Sequence, residues 1–343
     1  MTSHPDYNET TTATEVANAF SGEIKGKHVL LVGVSPNSLG EHMALSIASH
    51  EPALLILASR TASKIEEVVT KILSSSSTPT LLKENIKVVQ IDLSSQKSIR
   101  GAATEIGTLT DILDVVINNA ALNVPTYEET KEGIEMHFGT NHVGLFLLTN
   151  LLLPLILSAA SSNTPGATRV VNLTSAGHRL SPIRFSDYNF QKSYIDLPAE
   201  EQPPKGLPPS LLDAKEAYNP FIAYGQSKTA NILLSVSLNE DLAEKGVRSY
   251  SVHPGSIWTG LARNLDDEGQ KLIKATGKVW KTGDQGAAGT LVAAFDPALN
   301  KSNGVYMADC QYAEAAPFAL DLKIAERLWS LSEELVGEKF PLG

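Results

Sequence analysis

The stretch KHVLLVGVSPNSLGEHMALSIA, residues 27–48, decides the fold. Its first part is a short, continuously apolar run ending at Gly33, and its second part carries helical spacing. A strand buried on both faces reads as unbroken apolar residues, whereas a half-exposed strand alternates with polar ones. The same pairing of apolar run and helical segment recurs at ALLILAS (53–59), IKVVQID (86–92), LDVVINN (113–119), RVVNLTS (169–175) and VRSYSVH (247–253). Such alternation predicts βαβ units, and right-handed crossovers then place helices on both sides of one parallel sheet. The expected fold class is α/β, a single doubly wound domain of the Rossmann type.

Composition narrows the partners. The chain has 343 residues, ample for a full core, with 42% hydrophobic and 19% charged residues as in globular proteins. A formal net charge of −10 opposes attraction to phosphate backbones, so nucleic acid and anionic membrane are poor partners. Cys310 is the one cysteine, which excludes an internal disulfide or a CxxC site and suits a reducing, cytoplasmic location. Residues 1–25 read as a polar leader without a secretory pattern, and 26–343 as the domain. The greasy stretch Leu145 to Ala160 is short of the roughly 20 residues of a spanning helix and holds Asn150 and Pro154, which predicts a buried helix. His42, His142 and His178 have no ligand spacing, and no metal is expected.

One segment breaks the rhythm. Between Ser181 and Pro220 the prolines 198, 203, 204, 208 and 209 exclude a regular helix or central strand, so an irregular insert of about 181–220 is expected. A second irregular stretch, Cys310 to Pro317, leads into a helix around Leu320 to Val336.

Three places carry chemistry. In the turn after the first strand, Gly33 and Gly40 bracket Ser35, Asn37, Ser38 and Leu39 ahead of a helix starting near Glu41, where a doubly wound fold binds pyrophosphate on backbone N–H groups. The second strand ends in Ser59-Arg60-Thr61 without the acid that would bind a ribose 2′-hydroxyl. Arg60 suits a 2′-phosphate instead, which points to NADP(H). Tyr224 and Lys228 of YGQSK lie four apart on one helix face, where a nearby ammonium lowers a phenol pKa and readies it for proton transfer.

With these pieces in order, the chain resembles the short-chain dehydrogenase/reductase superfamily, and within it retinol-dehydrogenase-like and fungal secondary-metabolism reductases. The resemblance runs from about Gly26 to Phe340 and rests on GVSPNSLG, ASR, IDL, NNAA, TNHVGLFLLTNLLLP, VVNLTS, YGQSK and HPGSIWT. Ala121 stands where the family usually has glycine, as do Asn37 and Ser38 in the loop. The resemblance implies that Ser175 binds a substrate carbonyl oxygen, Tyr224 delivers its proton, Lys228 holds the nicotinamide ribose and Asn141 anchors a relay water. It also implies cofactor contacts at Asp92 and Leu93, at Asn118 and Ala120, and at Pro254, Gly255, Ile257 and Thr259.

The expected activity is NADPH-dependent reduction of a ketone or aldehyde of a small, largely apolar metabolite, or oxidation of its alcohol. The alternatives are a cyclase or isomerase on the same fold and a non-catalytic NADP-sensing protein. Tyr218, Phe221, Trp258 and Leu261 flank the catalytic positions and are equally readable as pocket or core. Ser175 and Tyr224 are 49 positions apart, so the insert enters and leaves beside the site. Covering the helices that pair in dimeric relatives, and walling the substrate cleft, it favours a monomer over a homodimer.

Overall fold

The computed structural model describes residues 1–75, 83–213, 215–257, 279–301 and 304–341. Its strands are β1 (His28–Val32), β2 (Leu54–Ser59), β3 (Ile86–Gln90), β4 (Val115–Asn118), β5 (Thr168–Leu173), β6 (Val247–His253), β7 (Ser256–Ile257), β8 (Trp280–Lys281), β9 (Tyr306–Ala308) and β10 (Gln311–Tyr312). The main sheet has eight strands in the order β10-β9-β6-β5-β4-β1-β2-β3, parallel except for the β9–β10 edge hairpin. Strand order reverses between β1 and β4, which opens a crevice at their carboxyl ends. All six apolar runs became strands of this sheet.

The helices before the last two are α1 (Ala13–Ala19), α2 (Ser21–Ile24), α3 (Leu39–Ala48), α4 (Ala62–Ser74), α5 (Gln96–Leu109), α6 (Met136–Phe138), α7 (Gly144–Leu151), α8 (Leu153–Ala160) and α9 (Pro220–Leu242). Alternate residues of β1 serve both faces. Val29 and Leu31 join a core with α1, α3, α4 and the helix Gly283–Phe295, while Leu30 and Val32 join one with α5, α7, α8, α9 and the helix Leu322–Val336. Each such side chain contributes roughly 1.5–3 kcal/mol by leaving water. That explains why the runs lack polar interruptions.

The leader is not outside this core. Thr12 closes a capping box with Glu15, and Ala13, Val16, Ala17, Phe20 and Ile24 are buried at helical spacing. The greasy stretch breaks at Leu152, with Pro154 in the first turn of α8. Met136–Leu151 and Leu153–Ala160 meet at 56°. Among the described residues, no single helix is long and apolar enough to cross a membrane.

Among its described residues before α9 the insert forms short 3-10 turns alone, at Tyr194–Asp196, Ala199–Glu201 and Pro209–Leu211. It is nonetheless pinned. Ile183, Phe190, Leu197 and Leu211 are buried, although Ile195 is exposed. Its Arg184 is buried, ion-paired with Asp187 and stacked over Phe190. The insert packs on α9 through Phe190, Tyr188 and Arg184, and the helix Leu322–Val336 shares with it the cover over α7 and α9. Trp329 meets Phe146 edge-on at 4.8 Å, and Ser332 bonds His142 at 2.8 Å. The insert reaches that helix at its margin, where Arg327 lies 3.9 Å over the Phe185 ring and 3.5 Å from Glu201.

Candidate active site

The loop after β1 is built by close approach. Gly33 has φ +99°, and a Cβ there would stand 2.5 Å from the backbone of Ala120. A Cβ on Gly40 would meet the Gly33 carbonyl at 2.2 Å, so α3 begins directly against the turn. Ser38 caps α3, its Oγ accepting from Glu41 N–H at 3.3 Å and donating to Ser35 O at 2.7 Å. Asn37 has φ +59°, the left-handed conformation a middle glycine would supply and one asparagine tolerates. Its N–H donates to Glu41 Oε2 at 2.8 Å, and Glu41 is paired with Lys71 at 2.7 Å. The missing glycine is thus replaced by a side-chain brace.

A cleft of about 330 Å³ runs from this loop to α9. Gly33, Ser35, Asn37, Ser38, Leu39, Ser59 and Arg60 line one end, with Asp92, Leu93 and Ala120 beside them. Tyr224, Lys228 and Pro254 line the other. Gly40, Gly255 and Ile257 are not among the lining residues. Gly255, at φ +90°, leaves room for the Lys281 side chain, and Ile257 packs against Gly286. Thr259, Trp258 and Leu261 lie outside the described residues.

Asn118 does not line the cleft. It is fully buried, donating to Thr149 Oγ1 at 3.0 Å and Asn172 Oδ1 at 2.9 Å. The wall belongs to Asn119, which donates to Gly33 O at 2.5 Å and ties the loop to β4. Nor does any described insert residue line it, so the expected insert wall is absent from this cleft.

The catalytic candidates come together at the end of β5 and on α9. Ser175 leaves β5 and caps the turn Ala176–Leu180, its Oγ accepting from Gly177 N–H at 3.1 Å, and it lies near enough to the Tyr224 phenol to lower its pKa. Gly177 and Gly225 let α9 lie close to that turn, since a Cβ on Gly225 would stand 2.8 Å from the Gly177 carbonyl. Lys228 Nζ donates to Leu173 O at 3.0 Å and sits 5.5 Å from the Tyr224 ring centre. Asn141 lies in a π-turn, Gly139–Val143, with Oδ1 accepting from Leu122 N–H at 2.8 Å and Nδ2 donating to Leu122 O at 3.1 Å. Its Nδ2 also lies 3.1 Å from Ser227 Oγ, one residue before Lys228.

Burial sets the electrostatics. It pushes the Tyr224 phenol up to about 12, opposed by the Ser175 hydrogen bond, and the Lys228 ammonium down to about 7. Burial sets the direction for the phenol, and the lysine, 5.5 Å from the ring, is not among the groups that shift it. At neutral pH the phenol therefore keeps its proton and can give it.

His178, unsuited to a metal, positions Ser175: its Nδ1 lies 2.7 Å from Ser175 O and its Nε2 accepts from Ala316 N–H at 3.0 Å. Burial pushes it down to about 4, which keeps it neutral in that role. Sequence spacing gave no sign of this. Among the described residues, no group of acidic, histidine or cysteine side chains could hold a metal ion.

The sheet order, the switch-point cleft and the Ser–Tyr–Lys cluster define a dinucleotide-fold oxidoreductase type, and the comparisons give the family. Residues 27–195 match the family model described as short chain dehydrogenase. Oxidoreductase fscI of Fusarium equiseti is 37% identical over 253 residues, 74% of this chain and 95% of that one. Retinol dehydrogenase 12 of Mus musculus is 32% identical over 337 residues, 95% of this chain and 93% of that one. A crystal structure of an uncharacterized protein from Mycobacterium Paratuberculosis superposes with TM-score 0.64 at 27% identity, covering 93% and 96% of the two chains. The chain belongs to the short-chain dehydrogenase family.

Proposed function

We propose that the protein is an NADP(H)-dependent oxidoreductase that reduces a ketone or aldehyde of a small, largely apolar metabolite, or oxidises its alcohol. The observation that carries the reading is the placement of Tyr224 and Lys228 together at the end of a phosphate-loop cleft, Lys228 Nζ 5.5 Å from the Tyr224 ring centre, with Ser175 beside the phenol. The residues fit a dinucleotide. The loop Gly33–Leu39 at the α3 N-terminus faces the cleft, where a phosphate would meet backbone N–H groups, and Lys228 has N–H bonds to give beyond the one to Leu173 O. A nicotinamide cofactor, when bound, supplies the hydride. Ser175 and Tyr224 then hold the substrate oxygen, and Tyr224 gives it a proton while Lys228 steadies the developing phenolate. The relatives named oxidoreductase and retinol dehydrogenase support redox chemistry on an apolar substrate. Oxidation of NADPH on addition of a panel of aliphatic and aromatic aldehydes and ketones tests the activity; silence across the panel contradicts it.

Arg60 is exposed at the cleft end of β2, with no acid at Ser59 or Thr61. A charge-assisted phosphate contact is worth roughly 1.5–3 kcal/mol, so Arg60→Ala should weaken NADPH binding about 10- to 100-fold and leave NADH binding unchanged. Fluorescence titration of both cofactors reads this, and equal losses would refute the assignment.

The helix Leu322–Val336 and the insert together leave α7 and α9 covered, which supports a monomer. Light scattering on the eluting protein should give about 36.7 kDa. Twice that mass contradicts it.

A further inference from the structure

Glu135 and His137 are fully buried, yet the mechanism above leaves them unused. Both sit at the start of the continuous helix Met136–Leu151 that carries Asn141. Glu135 Oε1 lies 2.7 Å from His137 Nδ1 and accepts from His137 N–H at 3.0 Å, while Oε2 accepts from Phe138 N–H at 2.8 Å. The other ring nitrogen, Nε2, lies 3.0 Å from Val124 N and 3.1 Å from Asn123 Oδ1.

This ring touches three things that matter. Its plane stands at 81° to the Tyr224 ring with centres 6.0 Å apart, so it packs edge-on against the phenol. Through Nε2 it holds the far end of the loop Asn119–Val124, whose residues Asn119 to Asn123 wall the cleft. Asn141, one helical turn on, holds Leu122 in the same loop. On the outer side, the Tyr218 hydroxyl from the insert lies 3.4 Å from Glu135 Oε1 and 3.3 Å from His137 Nδ1. Asn189 of the insert accepts from Glu135 N–H at 2.9 Å.

We infer that His137, oriented by Glu135, is a positioning residue for Tyr224 and the cleft wall, and that Tyr218 is the contact through which the docked insert fixes it. The inference rests on Tyr224 being the proton donor. It gives the insert a catalytic purpose without placing it in the cleft. Rigid support of this kind matters because a displacement of about 1 Å at a reacting group can cost about a hundredfold in rate.

The test compares His137→Phe, His137→Gln and Tyr218→Phe, with Tyr224→Phe alongside. Phenylalanine keeps the ring against Tyr224 but loses the polar contacts to Glu135, Val124, Asn123 and Tyr218; glutamine keeps a donor and an acceptor. His137→Phe is expected to lower kcat roughly ten- to a hundredfold, to raise the solvent deuterium effect on kcat, and to leave NADPH affinity within about twofold. His137→Gln should recover part of kcat, and Tyr218→Phe should lose several-fold. Thermal melting identifies any variant that fails to fold, and then the Gln and Tyr218 variants decide. A lowered melting temperature with kcat unchanged in all folded variants overturns the inference and leaves a structural cluster. Full turnover by Tyr224→Phe overturns both the inference and the reading beneath it, so the two failures are distinguishable.

Discussion

Tyr224→Phe should lose about 10²- to 10⁴-fold in turnover while binding NADPH as the wild type does, the range a positioned proton donor contributes. The phenol is the group at the cleft end that keeps its proton at neutral pH, and Ser175 is its partner. Removing one oxygen leaves the ring against His137 and the cleft wall unaltered. Steady-state kinetics with a cofactor titration measure both quantities. A loss confined to KM, or a parallel loss of cofactor affinity, would show that the hydroxyl serves binding rather than proton delivery.

Lys228→Met should abolish turnover and yet stabilise the fold. A buried ammonium is costly, and burial has pushed Lys228 from an ordinary 10.5 down to about 7. Leu173 O keeps a donor in the variant, because Asn231 Nδ2 also bonds it at 2.9 Å. The sign follows from proton counts. Between pH 7 and 10.5 the unfolded chain binds the proton that the folded one has released, so wild-type stability rises with pH across that window. The variant has no such dependence. Its advantage, on the order of a few kcal/mol, is fully present below about pH 7 and closes toward 10.5. Urea unfolding at several pH values reads it. A variant less stable than wild type at pH 6 would mean that the ammonium is held by more than Leu173 O.

These expectations show what was legible in the sequence. Strands buried on both faces announce themselves, because a parallel sheet tolerates no polar break; hence β1 to β6 were readable, while the few residues of β9 and β10 carry no pattern. Asn118 and Asn119 illustrate a sharper limit. Adjacent side chains at the end of a strand point to opposite sides, so an unresolved phase of one residue exchanges wall for core. The polar leader hid Ala13, Val16, Ala17 and Phe20, whose spacing was the available signal. The phenol's upward direction comes from burial, which a sequence with a lysine four residues on does not show. Nothing in the Pro-rich insert revealed that it would share the cover over α7 and α9 with the helix Leu322–Val336. Glu135 and His137 matter through contacts with residues far along the chain, such as Tyr218, and only folding reveals those.

Hydride transfer is the central claim, and an isotope balance tests it most directly. The wild-type enzyme is given a carbonyl substrate and NADPH carrying deuterium at the transferable positions of the nicotinamide. The account predicts that each carbonyl reduced consumes one cofactor, and that the label appears on the new carbinol carbon. Product formed without label and without loss of NADPH would contradict it, and would identify the chain as an isomerase or cyclase built on the same site.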